Sequence, residues 1–125
     1  MTEEQFGSAV EIVLDYVPAA VMSPNARIHW AVKAMAVRRF RANVGWEARA
    51  QVGQRAPIEH ARISYVFTAR RKRDIDNLIA SMKPAQDGLV DAGVIVADDS
   101  DHLEIGTVRV ERGKVERTVI KIEVV

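Results

Sequence analysis

Hydrophobic and polar positions alternate over residues 10–17, with Ile12, Leu14 and Tyr16 facing one way and Glu11 and Asp15 the other. That period of two predicts a strand with one buried face, ended by Pro18. Residues 19–28 contain Ser23-Pro24-Asn25, a turn-forming trio, and read as a loop leading into a helix. From His29 to Val52 the period lengthens: Trp30, Ala34, Val37, Phe40, Val44 and Ala48 recur every three or four residues, one buried helical stripe, while Arg38, Arg41 and Arg49 fall on another face. Gly45 weakens the middle of this helix. Gly53 and Pro57 punctuate the exit.

Residues 62–70 alternate again, with Ile63, Tyr65, Phe67 and Ala69 on one side, and form the strongest strand signal in the chain. A second helix follows, with Leu78, Met82, Ala85 and Leu89 as its buried stripe and an end near Gly93. Pro84 inside that stretch predicts a kink or a separate short turn ahead of the helix. Residues 103–111 and 115–124 read as two further strands, joined as a hairpin by Arg112-Gly113-Lys114, and a parity change around Gly106 predicts a bulge. The order gives an α+β fold in which a small mixed sheet of about four strands packs against two main helices. With 125 residues, 48% of them hydrophobic, and no repeat or linker, the chain reads as one domain over residues 1–125.

Composition narrows the chemistry. The chain has no cysteine, which removes disulfides and thiolate metal sites and leaves oxygen and imidazole as the strong ligands. The N-terminus, Met1-Thr2-Glu3-Glu4-Gln5, has no basic region followed by an apolar run, and no stretch approaches the length of a membrane span. A soluble, cytoplasmic protein is expected, with no membrane partner. The eighteen Lys and Arg nearly cancel the seventeen Asp and Glu, so the distribution of charge matters more than the sum. Between Lys33 and Arg73 basic residues dominate, and from Asp74 to Glu104 the sign reverses, with Lys83 as the single cation. A phosphodiester-cutting enzyme needs such a division, because one region must attract phosphate and another must hold metal.

Asp74 and Asp76 stand two apart at the end of an extended segment, where they would point the same way and could share a cation. Asp98-Asp99 precede the next strand; if that strand pairs beside the one ending at Arg70, the two acidic pairs should converge at one sheet edge. Asn77 is placed to cap the helix that follows, and Asp76, Lys83, Asp87 and Asp91 fall on roughly one face of it. The blander alternatives are solvated turn aspartates, a surface Lys83–Asp87 pair worth a few tenths of a kcal/mol, and a solvated Arg70-Arg71-Lys72-Arg73 run. His29, His60 and His102 are scattered and read as structural or exposed, and Trp30 and Phe40 as core packing.

Taken together, Arg73-Asp74-Ile75-Asp76-Asn77-Leu78, Lys83-Pro84-Ala85-Gln86-Asp87-Gly88-Leu89, Ala92-Gly93-Val94 and Asp98-Asp99-Ser100 resemble the RusA family of Holliday junction resolvases, common in phages and prophages. A weaker likeness extends to the Pro- and Asn-containing residues 18–25. The resemblance implies a homodimeric endonuclease dependent on Mg²⁺, with Mn²⁺ as a substitute, that makes paired nicks across a four-way DNA junction in a bacterial cell or phage-infected host. It assigns Asp74, Asp76 and Asp99 to the metal, with Asp98 the alternative to Asp99, and Lys83 to catalysis. The family places its lysine within a turn of the D-N pair, whereas Ile79-Ala80-Ser81 precede Lys83 here. On charge, Arg38, Arg41, Arg70, Arg71, Lys72 and Arg73 are the candidate DNA-backbone contacts, with Asn25 from the loop.

Overall fold

A computed structural model of the chain describes residues 9–24 and 26–125; the acidic N-terminal residues and Asn25 lie outside the described residues. The elements are β1 (Ala9–Leu14), a 3₁₀ turn (Ala20–Met22), α1 (Trp30–Val52), β2 (Ala61–Ala69), α2 (Ile75–Ala80), α3 (Lys83–Asp91), β3 (Leu103–Arg112) and β4 (Arg117–Val124). The strands form one four-stranded sheet in the order β1-β4-β2-β3, so the fold is α+β with a mixed sheet. Alternation set the strand faces as expected: Ile12 and Leu14 on β1, and Ile63, Tyr65, Phe67 and Ala69 on β2, are all buried under the helices. Ile120 and Ile122 of β4 complete that face. From α2, α3 and the turn between them, Leu78, Met82, Ala85 and Leu89 are each fully buried against it.

The expected hairpin between the last two strands does not form. β3 pairs with β2 in parallel and β4 pairs with β2 antiparallel, so β2 lies between them. β2 is buried on alternate residues along its whole length, and seating it centrally lets it pair on both edges while the less apolar β3 takes the rim. The parallel pairing is reached by the α2–α3 crossover, as parallel strands require. The bulge is where parity placed it: Ile63 opposes Ile105 and Tyr65 opposes Val108, leaving one extra residue on β3. Gly106 is needed there because a Cβ would lie 2.6 Å from Ser64 Oγ, and the same hydroxyl accepts the Thr107 amide at 3.1 Å.

Pro84 separates the second helical region into two helices, sitting in the first turn of α3 where its missing N–H costs nothing. α3 ends in a Schellman arrangement: Gly93, at φ 74°, donates to Val90 O at 3.0 Å and Val94 donates to Leu89 O at 3.0 Å. α1 and α3 cross closely at Gly45 and Gly88. Phe40, Val44 and Ala48 of the α1 stripe are buried, but Trp30 is 76% exposed, a correction to its expected place in the core. It is the first residue of the helix and stacks on His29, whose Nδ1 accepts the Ala31 amide as the N-cap. Among the described residues no helix is long and apolar enough to cross a membrane.

Candidate metal and nucleic-acid site

Asp74 occupies the N-cap position of α2 in extended conformation, and Asp76 lies in its first turn. The helix therefore starts earlier than Asn77, which corrects the expectation that Asn77 caps it; Asn77 is inside the first turn, its amide 3.5 Å from Asp74 Oδ2. The strand geometry invoked for Asp74 and Asp76 does not apply either, because the chain has already turned into helix. Both carboxylates are exposed at the amino end of α2. The break between α2 and α3 also removes Asp76 from the face carrying Lys83 and Asp87.

β3 does pair beside β2, yet the acidic pairs do not converge through the strand ends. Ala61 opposes Leu103 and Ala69 opposes Arg112, so Asp98-Asp99 enter β3 at the end where β2 begins. Asp74 and Asp76 follow the other end of β2, at the start of α2. Among the described residues no three His, Asp or Glu side chains are grouped closely enough to hold a metal ion together.

The structure instead brings Lys83, Asp87 and Asp98 together. The Lys83 ammonium donates to Asp87 Oδ1 at 2.9 Å and to Asp98 Oδ2. The hydrogen bond to Asp98, then that to Asp87, raises the lysine pKa, and the same ammonium holds Asp98 below the usual carboxylate range. Ile79-Ala80-Ser81 end α2 and begin the turn to α3, so Lys83 opens a new helix. Beneath the cluster, the buried Tyr65 hydroxyl accepts from Gln86 Nε2 at 2.9 Å.

Asp99 points elsewhere. Its Oδ1 accepts the Asp101 amide at 2.9 Å and lies 2.7 Å from His102 Nδ1. His102 stacks on His60 with ring centroids 6.0 Å apart and planes 8° from parallel, a pairing that two isolated histidines in sequence did not announce. The Asp99 hydrogen bond is the main cause raising the His102 pKa above its ordinary 6.5, and the reciprocal bond lowers Asp99. The folded chain thus holds the His102 proton more tightly than the unfolded chain. The pair's contribution is complete below the ordinary histidine pKa and fades as pH rises through the folded value; the Asp99 contribution is complete above the ordinary carboxylate pKa and is lost as pH falls. An NMR titration is expected to show the His102 midpoint above 6.5 and its return toward that value in Asp99→Asn; an unchanged midpoint in the variant would contradict the pairing.

The basic residues divide into engaged and free. Arg41 makes a two-pronged contact with Asp91 at 2.7 and 2.9 Å, which ties α1 to α3. Arg73 donates to Pro18 O at 3.0 Å, fastening the start of the D-x-D-N segment to the loop after β1. The side-chain cations of Arg38, Arg39, Arg70, Arg71 and Lys72 have no acidic partner among the described residues and all five residues are exposed, while the Arg70 main-chain amide donates to Glu116 Oε2 at 3.3 Å. Arg70 also lines an open cleft with Arg112, Gly113 and Lys114 at one end of the sheet. Such groups can meet phosphate without first breaking an internal ion pair.

The donor chemistry suits magnesium, which takes oxygen ligands, keeps several waters and is commonly held by one or two carboxylates with substrate phosphate. Asp74 and Asp76 are carboxylates of that kind, exposed within one turn of each other; a cage of three carboxylates is not present among the described residues. The fold and these side chains define a small α+β domain that carries a carboxylate–lysine cluster and a set of exposed arginines without acidic partners. An uncharacterized protein of Xylella fastidiosa (strain Temecula1) is 34% identical to it over 85 residues, which cover 60% of this chain and 52% of the relative. The chain therefore spans about half the length of the curated relative it matches. No family model matches the chain.

Proposed function

We propose that this protein is a magnesium-dependent, structure-selective DNA endonuclease that resolves four-way junctions. The observation that carries the reading is the meeting of Lys83 and Asp87 with Asp98, residues from two motif segments separated in sequence, in one solvent-facing ion cluster. In this reading Arg70, Arg71, Lys72 and Arg38 hold the DNA backbone through charge, independently of base sequence. Asp74 and Asp76 would hold the magnesium ion, which when bound polarises a phosphoryl oxygen and lowers the pKa of a coordinated water. Lys83 supplies positive charge to the phosphate as it gains negative character, with Asp98 and Asp87 fixing where the ammonium sits. The resemblance adds Asp99 as a third carboxylate, and Asp98, which touches the lysine, is its alternative. A homodimer belongs to the same reading, since a two-fold pair presents two equivalent sites to a junction that is itself nearly two-fold.

The deciding experiment incubates the protein with an end-labelled synthetic four-way junction in Mg²⁺, in Mn²⁺ and in chelator. Paired nicks in either metal and none in chelator are expected. Cleavage of forks or flaps in preference to junctions would move the activity to other branched DNA.

A second reading is favoured by one observation, the absence of any three-carboxylate grouping among the described residues. On that reading the chain is a nucleic-acid-binding module without catalysis. Junction binding in a gel shift, with no metal-dependent nicking on any branched substrate, would establish it over the nuclease.

A further inference from the structure

A pocket of about 480 Å³ opens between the end of β1, the 3₁₀ turn and α1. Val17, Met22 and Phe40 are its buried apolar lining, and Tyr16 meets Phe40 edge-on with ring centroids 6.1 Å apart. At its mouth stand two polar groups of α1, Arg39 and Asn43. The Asn43 Oδ1 accepts the Tyr16 hydroxyl, which leaves the amide nitrogen without a protein partner among the described residues. Arg39 and its neighbour Arg38 are likewise uncompensated. Burial, then Glu47 and Asp15, push the Tyr16 hydroxyl up to about 12, so it remains a protonated donor to Asn43 at neutral pH.

Each feature restricts the guest. Aromatic edges and apolar walls accept a flat ring. A free amide N–H at the mouth addresses an acceptor on that ring's edge. An arginine without an acidic partner, Arg39, selects a guest that carries an anion beside the ring. A heterocyclic base with its phosphate combines all three. The loop forming one wall, which contributes Val17 and Ala19, is fastened by Arg73 through Pro18 O, and Arg73 directly precedes Asp74. The pocket is thereby tied to the segment assigned above to metal.

From this juxtaposition we infer that the Tyr16–Phe40–Arg39–Asn43 pocket receives an unpaired nucleobase of a DNA strand, with the adjoining phosphate on Arg39. The pocket's ligand class rests on its own lining; its use at a branch point, where bases at the crossing can leave the stack, rests on the nuclease reading.

The test keeps those two apart by using metal-free protein and no cleavage readout. In amide NMR spectra, deoxyadenosine 5′-monophosphate is expected to shift resonances around Tyr16 to Met22 and Ala36 to Asn43, whereas deoxyribose 5-phosphate at the same concentration does not. A short single-stranded deoxyadenosine oligonucleotide should give the same pattern at about tenfold lower concentration, because flanking phosphates add contacts. Arg39→Ala, an exposed position that leaves the fold untouched, should weaken binding about fivefold, as expected for loss of a surface charge contact. Ala36→Trp should fill the pocket and abolish the shifts. Equal shifts from deoxyribose phosphate, shifts located elsewhere, or binding indifferent to Arg39→Ala would overturn the assignment; mononucleotide binding tighter than the oligonucleotide would overturn the strand as its source. Loss of the nuclease reading alone, with these shifts intact, leaves the pocket assignment standing.

Discussion

Asp74→Asn is expected to lower metal-dependent cleavage of a four-way junction by about 100-fold or more, a loss typical of removing one electrostatic group from a phosphoryl site. Junction binding in chelator should be unchanged or slightly tighter, since the variant carries one negative charge fewer near the DNA. The fold should survive for a local reason. Asp74 is exposed at the N-cap position of α2 and makes no side-chain cap hydrogen bond there, and asparagine serves that position as well as aspartate. A thermal melt unchanged beside lost cleavage would place the effect on chemistry. Retained cleavage would remove Asp74 from the metal and the proposed mechanism with it.

Gly88→Val should destabilise the protein by about 3 kcal/mol, at the upper end of what overpacking a well-filled contact costs. An ideal Cβ at Gly88 would lie 2.6 Å from the Arg41 carbonyl oxygen, 3.1 Å from the Gly45 nitrogen and 3.3 Å from Val44 Cβ. Two of those neighbours are backbone atoms of α1, so relief requires the helices to separate. Separation would also strain the Arg41–Asp91 contact that spans the same interface. For a domain of this size the melting temperature should fall by roughly 10 °C. Gly45→Ala across the same crossing is the control: its Cβ would meet nothing nearer than the Gly88 oxygen at 3.5 Å. Ordinary contact plus better helix propensity should stabilise that variant by about 0.5–1 kcal/mol. Equal effects from the two substitutions would show that propensity, and not the close approach, governs this helix pair.

These two glycines show where sequence reasoning has purchase. Both interrupt helical patterns and look alike in the chain, where Gly45 reads only as a weak point. Their different roles depend on which one faces the backbone of the other helix, and that is a property of the crossing. The motif residues divide in the same manner. Lys83 and Asp87 are four apart on one helix, so their contact was available from spacing alone. Asp98 joins them from across a loop, and Asp99, its neighbour, turns instead to His102. Nothing in the dipeptide distinguishes the two carboxylates. The Tyr16–Arg39–Asn43 pocket was equally hidden, since the tyrosine leaves a strand and the other two sit one helical turn apart on α1.

What the sequence determined by itself was the local order: which segments alternate, which repeat every three to four residues, where Pro84 and Gly93 interrupt, and where β3 needs a bulge. These follow from the bonding and sterics of neighbouring residues, which the chain carries wherever it goes. Only the tertiary structure decided that β2 lies between the last two strands, so that they form no hairpin, and that Asp98 meets Lys83 and Asp87 while its neighbour Asp99 turns to His102. Strand order minimises the exposed apolar surface of the whole sheet, a quantity summed over elements distant in sequence, so no local pattern encodes it.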